Sequence, residues 1–141
     1  MNPGPIIIIE DDPDDQDIIR QLLEEIATGA ELQFFSDAAS AFTYISRKDV
    51  VPFIILSDIN IPIMNGFQLR DKIHEDHELR MKCIPYIFVT TGGESNAIME
   101  AYSKNAQGFF IKPNTIDGWK QMLLNTVNYW MDSKKPRPAV K

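Results

Sequence analysis

Five short apolar runs, separated by breaking residues and helical patterns, constrain this chain more than any other feature of its sequence. The first, Ile6-Ile7-Ile8-Ile9, is wholly β-branched and has no polar alternation. A strand with one wet face alternates apolar and polar side chains, whereas an unbroken run needs apolar cover on both faces. Leu32-Gln33-Phe34-Phe35, Phe53-Ile54-Ile55-Leu56, Tyr86-Ile87-Phe88-Val89 and Phe109-Phe110-Ile111 are the other four. Between and after them lie stretches with helical spacing. Ile18, Ile19, Leu22, Leu23 and Ile26 precede Gly29 as a stop, and Ser36 or Asp37 can cap a helix through Ala38, Ala41, Phe42 and Ile45. Phe67, Leu69 and Ile73 come after a break at residues 62–66; Ile98, Met99 and Tyr102 come after Gly92-Gly93; Trp119, Met122, Leu123, Val127 and Trp130 come last. Five strands alternating with five helices predict an α/β fold with a doubly wound, five-stranded parallel sheet.

The 141 residues fit one domain, and 44% hydrophobic residues are enough for a packed core. The formal charge of −6 disfavours a bulk affinity for nucleic acid, because phosphate backbones repel a net anion. No apolar run approaches the roughly 20 residues of a membrane span, and the N-terminus lacks the basic start of a signal peptide. One cysteine, Cys83, excludes an internal disulfide framework and fits a reducing, cytoplasmic compartment.

The charge is local. Residues 10–17 (EDDPDDQD) hold six of the 20 acidic residues, and from Ile18 onward acids and bases number 14 each. Crowded carboxylates repel one another, so this segment is either a cation site or a solvated helix start with Pro13 in its first turn. In an open parallel sheet, ligands bind beyond the carboxyl ends of the strands. There the first run ends in Glu10, Asp11 and Asp12, the third in Asp58, the fourth in Thr90 and Thr91, and the fifth in Lys112-Pro113. Acidic groups, a hydroxyl and one lysine thus meet on one edge, an oxygen-lined pocket for a hard divalent cation beside a compact positive charge.

Those residues resemble the receiver domain of two-component response regulators. The resemblance rests on Ile7 to Asp12, on the segment from Ile55 through Asp58 and Asn60 to Gly66, on Phe88-Val89-Thr90-Thr91, and on Gly108 to Pro113; it spans about residues 5–131. The E-D-D start and V-T-T are most similar to small stand-alone receivers, including those serving phytochrome-type or hybrid sensor kinases. The resemblance implies a flavodoxin-like (βα)5 fold with strand order 2-1-3-4-5, a receiver domain over residues 1–132, and a disordered basic, proline-containing tail over 133–141. It implies that Asp58 accepts a phosphoryl group from a sensor histidine kinase or a histidine phosphotransfer protein, with Mg²⁺ held by Asp11, Glu10, Asp58 and the carbonyl of Asn60. Lys112 would pair with the phosphoryl group, Thr90 would donate its hydroxyl, and Phe109 would occupy the switch position. The Lys112-Pro113 bond resembles the family's cis peptide. Asp12 reads as an N-cap rather than a ligand.

Departures from the family pattern bear on tuning. Phe109 stands where many receivers have Tyr, so it offers no hydroxyl to a partner. Thr91 replaces the Ala or Gly of many receivers and narrows access to Asp58. Asn60 and Gly92 supply no carboxylate to position a hydrolytic water, which implies slow loss of the phosphoryl group. Gly92-Gly93 gives the loop freedom to move. The implied role is a signalling relay, not a metabolic enzyme, that catalyses only its own phosphorylation and dephosphorylation. Output would pass by protein contact through the face built from strand four, helix four, strand five and helix five.

Two other classes compete. A haloacid dehalogenase-type Mg²⁺-dependent phosphatase needs a second Asp two residues past the first, where this chain has Asn60. A flavodoxin-like cofactor carrier needs a Ser/Thr/Gly-rich phosphate loop after the first strand, where carboxylates stand. His74 and His77 lie in a polar stretch and read as a solvated face. Trp119 and Trp130 share a helix face that core packing explains; were Trp130 exposed, it would anchor a homodimer or a partner.

Overall fold

The computed structural model describes residues 3–92 and 94–136. The elements run β1 (Ile6–Ile9), α1 (Pro13–Ile26), β2 (Leu32–Phe35), α2 (Ala38–Ile45), β3 (Ile54–Ser57) and α3 (Gly66–Glu75). A short α4 (His77–Arg80), β4 (Tyr86–Thr90), α5 (Ser95–Ser103), β5 (Gly108–Ile111) and α6 (Ile116–Asp132) complete the chain. The strands form one parallel sheet, as the apolar runs predict, in the order β2-β1-β3-β4-β5 that the resemblance implies.

Period-two geometry explains the unbroken apolar runs. Successive side chains of a strand point to opposite faces. Ile7, Ile9, Ile55, Tyr86 and Phe88 therefore pack with Ala41 and Ile45 of α2, Leu69 and Ile73 of α3, and Ala101 of α5. Their neighbours Ile6, Ile8, Ile54, Leu56, Ile87 and Val89 pack on the other side with Leu22 and Leu23 of α1 and Trp119, Leu123 and Val127 of α6. All four isoleucines of β1 are at most 1% exposed, and each contributes roughly 2–3 kcal/mol by burial.

One expectation changes, the number of helices. After α3 stops at Glu75, Asp76 turns extended, and its carboxylate accepts from the Leu79 amide at 3.0 Å to start α4. An Asp that can cap is a poor interior residue, and the new turn buries Leu79. Six helices result instead of five among the described residues. Trp130 is half-buried against the α1–α6 core, with Tyr129 edge-on to it at 4.9 Å, and the exposed large side chains beside it are Tyr129 and Met131.

Half-buried Lys82 and buried Arg70 tie the helices together. Lys82, before β4, donates to the carbonyls of Ile45 (2.8 Å), Arg47 (2.8 Å) and Val50 (2.7 Å), closing the end of α2. Arg70 of α3 donates to the carbonyls of Lys104 and Asn105 at the end of α5. The basic segment after α6 starts against the domain, where Lys135 donates to the Phe53 carbonyl at 2.6 Å. Residues 137–141 of the expected tail, and Gly93, lie outside the described residues.

Candidate functional site

The carboxyl ends of β1, β3, β4 and β5 lie side by side, because Ile9 pairs with Ser57, Ser57 with Phe88, and Thr90 with Ile111. The amide of Asp58 donates to the Ile9 carbonyl, and that of Lys112 to the Thr90 carbonyl, so each side chain leaves the sheet at a fixed height. Glu10 and Asp58 are 3% and 7% exposed, whereas Asp11 is open to solvent.

The loop beneath Asp58 is locked by close contacts. Ser57 Oγ donates to the Asp58 carbonyl at 2.8 Å, and the buried Tyr86 hydroxyl lies 3.0 Å from Ser57 Oγ and 3.1 Å from the Gly66 carbonyl. Gly66 must be glycine, since a Cβ there would sit 2.3 Å from the Asp58 carbonyl oxygen. Asn60 donates its amide to Asp58 Oδ1 at 3.2 Å. Ile63, in the same loop, is fully exposed with φ at 71°, a left-handed conformation that β-branched residues rarely adopt.

One ammonium serves three carboxylates. Lys112 Nζ lies 2.7 Å from Glu10 Oε1, 2.7 Å from Asp15 Oδ2 and 2.8 Å from Asp58 Oδ2, with its side chain only 9% exposed. Burial alone would lower the lysine pKa, but hydrogen bonds to Asp15, Asp58 and Glu10 outweigh it and hold the ammonium above its ordinary value. At Glu10 burial wins, and its carboxyl is raised to about 7, against the opposing hydrogen bonds from Lys112 and the Asp12 amide.

Oxygens of Glu10, Asp11 and Asp58 come within 4.8 Å of one another, the one such group of three or more His, Cys, Asp or Glu side chains among the described residues. Hard carboxylate oxygens at this spacing suit Mg²⁺. At the end of β4, Thr90 Oγ1 is fully buried and is the one buried side-chain N or O atom among the described residues with no hydrogen-bond partner. An orphaned hydroxyl is costly unless a ligand satisfies it.

The structure thus brings Glu10, Asp11, Asp58, Asn60, Thr90 and Lys112 to one edge of the sheet. Thr91 is exposed. Phe109 is half-buried on the α3–α5 side, 6.4 Å from the Phe88 ring. Pro113 packs on the start of α6, where a Cβ on Gly118 would meet it at 2.9 Å. The expected cis bond is a correction: Lys112-Pro113 is trans. The energetic preference between the two isomers before proline is small, and Lys112 reaches all three carboxylates from the trans form. Asp12 is the N-cap of α1, accepting from the Asp14 and Asp15 amides.

Asp15 is the participant that sequence reasoning missed, as one of six acids in a segment open to both a cation site and a helix start. The available signal was its place one helical turn past Asp11, at the end of the first turn after the Asp12 cap. His74 and His77 belong to no such cluster among the described residues.

Comparison with known proteins places this arrangement. The chain is 23% identical to the probable methanogenesis regulatory protein FilR2 of Methanothrix harundinacea, over 98% of this chain and 91% of that protein. It is 27% identical to the DNA-binding transcriptional regulator NtrC of Escherichia coli, over 97% of this chain but only 28% of that much longer protein. Its fold matches that of the phosphorylated cyanobacterial phytochrome response regulator RcpA, with a TM-score of 0.84 at 20% identity over 94% and 96% of the two chains. The Mn²⁺-bound form of the response regulator Rcp1 matches with a TM-score of 0.82 at 20% identity, over 97% and 100%. Residues 6–124 match the family described as the response regulator receiver domain. With this sheet order and this edge, the chain belongs to the response regulator receiver family.

Proposed function

We propose that the protein accepts a phosphoryl group on Asp58 from a histidine kinase or a histidine phosphotransfer protein, in a Mg²⁺-dependent reaction, and signals through contacts that change with phosphorylation. The observation that carries this reading is the Lys112–Asp58 pair at the sheet edge where β4 ends in Thr90, whose buried hydroxyl has no hydrogen-bond partner. A phosphoryl oxygen would satisfy both donors.

In the reaction, an Asp58 carboxylate oxygen attacks phosphorus, the phosphorus–nitrogen bond of the donor imidazole breaks, and an acyl phosphate forms. Glu10, Asp11, Asp58 and the Asn60 carbonyl would hold Mg²⁺, which supplies charge neutralisation for the transferring group when bound. Lys112 stays beside the reacting carboxylate and moves its Asp58 hydrogen bond to a phosphoryl oxygen, while Thr90 Oγ1 donates to another. Drawing Thr90 inward vacates space next to Phe109, so the surface of β4, α5, β5 and α6 changes its affinity for a partner protein. Neither Asn60 nor Gly92 carries a carboxylate that could position a water, so the acyl phosphate is long-lived.

The test is incubation with acetyl phosphate and Mg²⁺, comparing wild type with Asp58→Asn by intact mass. The wild type is expected to gain one phosphoryl group and the variant none. An equal gain by both proteins would remove Asp58 from the mechanism.

A further inference from the structure

Resting on that reading, we infer that Asp15 is a positioning residue for Lys112, one that withholds part of the ammonium charge from the phosphoryl group. Lys112 Nζ donates to Asp15 Oδ2 at 2.7 Å and to Asp58 Oδ2 at 2.8 Å, and it lies 2.7 Å from Glu10 Oε1. A phosphoryl oxygen that approaches the lysine competes with these acids for its charge.

The three acids are not equivalent. Glu10 and Asp58 belong with Asp11 to the group that suits a divalent cation, and Asp15 does not. A cation there compensates Glu10 and Asp58 and leaves Asp15 facing Lys112 alone. Nor is Asp15 free to swing away at no cost. Its amide bonds the Asp12 cap at 3.3 Å in the first turn of α1, and its side chain is only 20% exposed. Asp14 and Asp17 on the same helix are open to solvent, and it is Asp15 that meets Lys112.

The consequence is electrostatic. With a divalent cation bound, Glu10, Asp11, Asp15 and Asp58 against Lys112 and the cation leave one net negative charge at the edge. That remaining charge is the contribution of Asp15. It repels an anionic phosphodonor and neutralises the cation meant to grip it. Asp15 therefore slows phosphoryl acceptance, on the order of tenfold for one charge at this range in a partly screened site.

The experiment measures the rate of acceptance from acetyl phosphate at saturating Mg²⁺, at several KCl concentrations, for the wild type, Asp15→Asn and Asp15→Glu. Urea unfolding of each variant reports whether it is folded. The wild-type rate is expected to rise with salt, since screening relieves the repulsion. Asp15→Asn keeps an acceptor for Lys112 but lacks the charge; it is expected to react about tenfold faster with little dependence on salt. Asp15→Glu is expected to restore both the slower rate and the salt slope, an outcome that a merely structural role would not produce. An Asn variant with the wild-type rate and slope, or a slower one, overturns the inference while leaving Asp58 as acceptor. A wild type that accepts no phosphoryl group overturns the function first and this inference with it.

Discussion

Lys82, between α4 and β4, donates to the carbonyls of Ile45, Arg47 and Val50 at 2.7–2.8 Å, and Lys112, after β5, has Glu10, Asp15 and Asp58 oxygens around it at the same distances. The distances match, yet the electrostatics are opposite. Around Lys82 the acceptors are neutral, so burial lowers its pKa and no acceptor carries surplus charge. Around Lys112 the acceptors are anions, its pKa rises, and one of them is forced upward instead. The first arrangement is closed: it fixes the end of α2 and has no use for a ligand. The second is open, because adding a cation or removing an acid relieves it. What separates a staple from a reactive site here is the charge of the acceptors and not the shape of the cage.

Replacing each lysine by methionine is the strongest way to break that contrast. Lys112→Met leaves clustered carboxylates uncompensated and is expected to cost about 4 kcal/mol in Mg²⁺-free buffer near pH 8, read by urea unfolding. The cost should shrink near pH 5, where the Glu10 carboxyl takes up a proton, and phosphoryl acceptance should fall by roughly 100-fold or more. Lys82→Met orphans three carbonyls and is expected to cost about 3 kcal/mol at either pH, with acceptance at the wild-type rate. A Lys82→Met loss that depended on pH as strongly as that of Lys112→Met would erase the distinction.

A smaller effect concerns Glu10. Its carboxyl titrates near 4.5 in the unfolded chain and about 7 in the folded protein. Between these values the folded state binds more protons than the unfolded state, so stability is fully present below about pH 4.5 and declines as pH rises toward 7. The decline should amount to about 2–3 kcal/mol without Mg²⁺. Urea midpoints from pH 5 to 8 would show it, and Glu10→Gln should flatten the curve. A wild-type midpoint that climbed across this window would contradict the burial-dominated environment assigned to Glu10.

The sheet was legible because its strands are short and two-sided: in β1, Ile6 and Ile8 serve one core and Ile7 and Ile9 the other, and no polar residue interrupts them. The parallel register then puts Glu10, Asp58, Thr90 and Lys112 at one edge, so the site could be read from the residues that terminate each run. Other features left weaker traces. The Lys82 staple uses backbone carbonyls more than 30 positions away in sequence, and carbonyls carry no side-chain signature. Asp15 looked like helix-start chemistry because only the roll of α1 over the sheet decides which acid of that crowded segment faces Lys112. The short α4 left little trace, because its four residues carry one apolar side chain, Leu79. The Lys112-Pro113 isomer is invisible in principle, since the two forms differ little in energy and tertiary context selects between them.

The central claim is that Asp58, and no other carboxylate of this crowded edge, takes the phosphoryl group. Borohydride reduces an acyl phosphate on aspartate to homoserine, which marks the modified position covalently. After treatment with acetyl phosphate and Mg²⁺, reduction and peptide sequencing by mass spectrometry, homoserine is expected at position 58 alone. Homoserine at position 11, 12 or 15 with Asp58 intact would contradict the account.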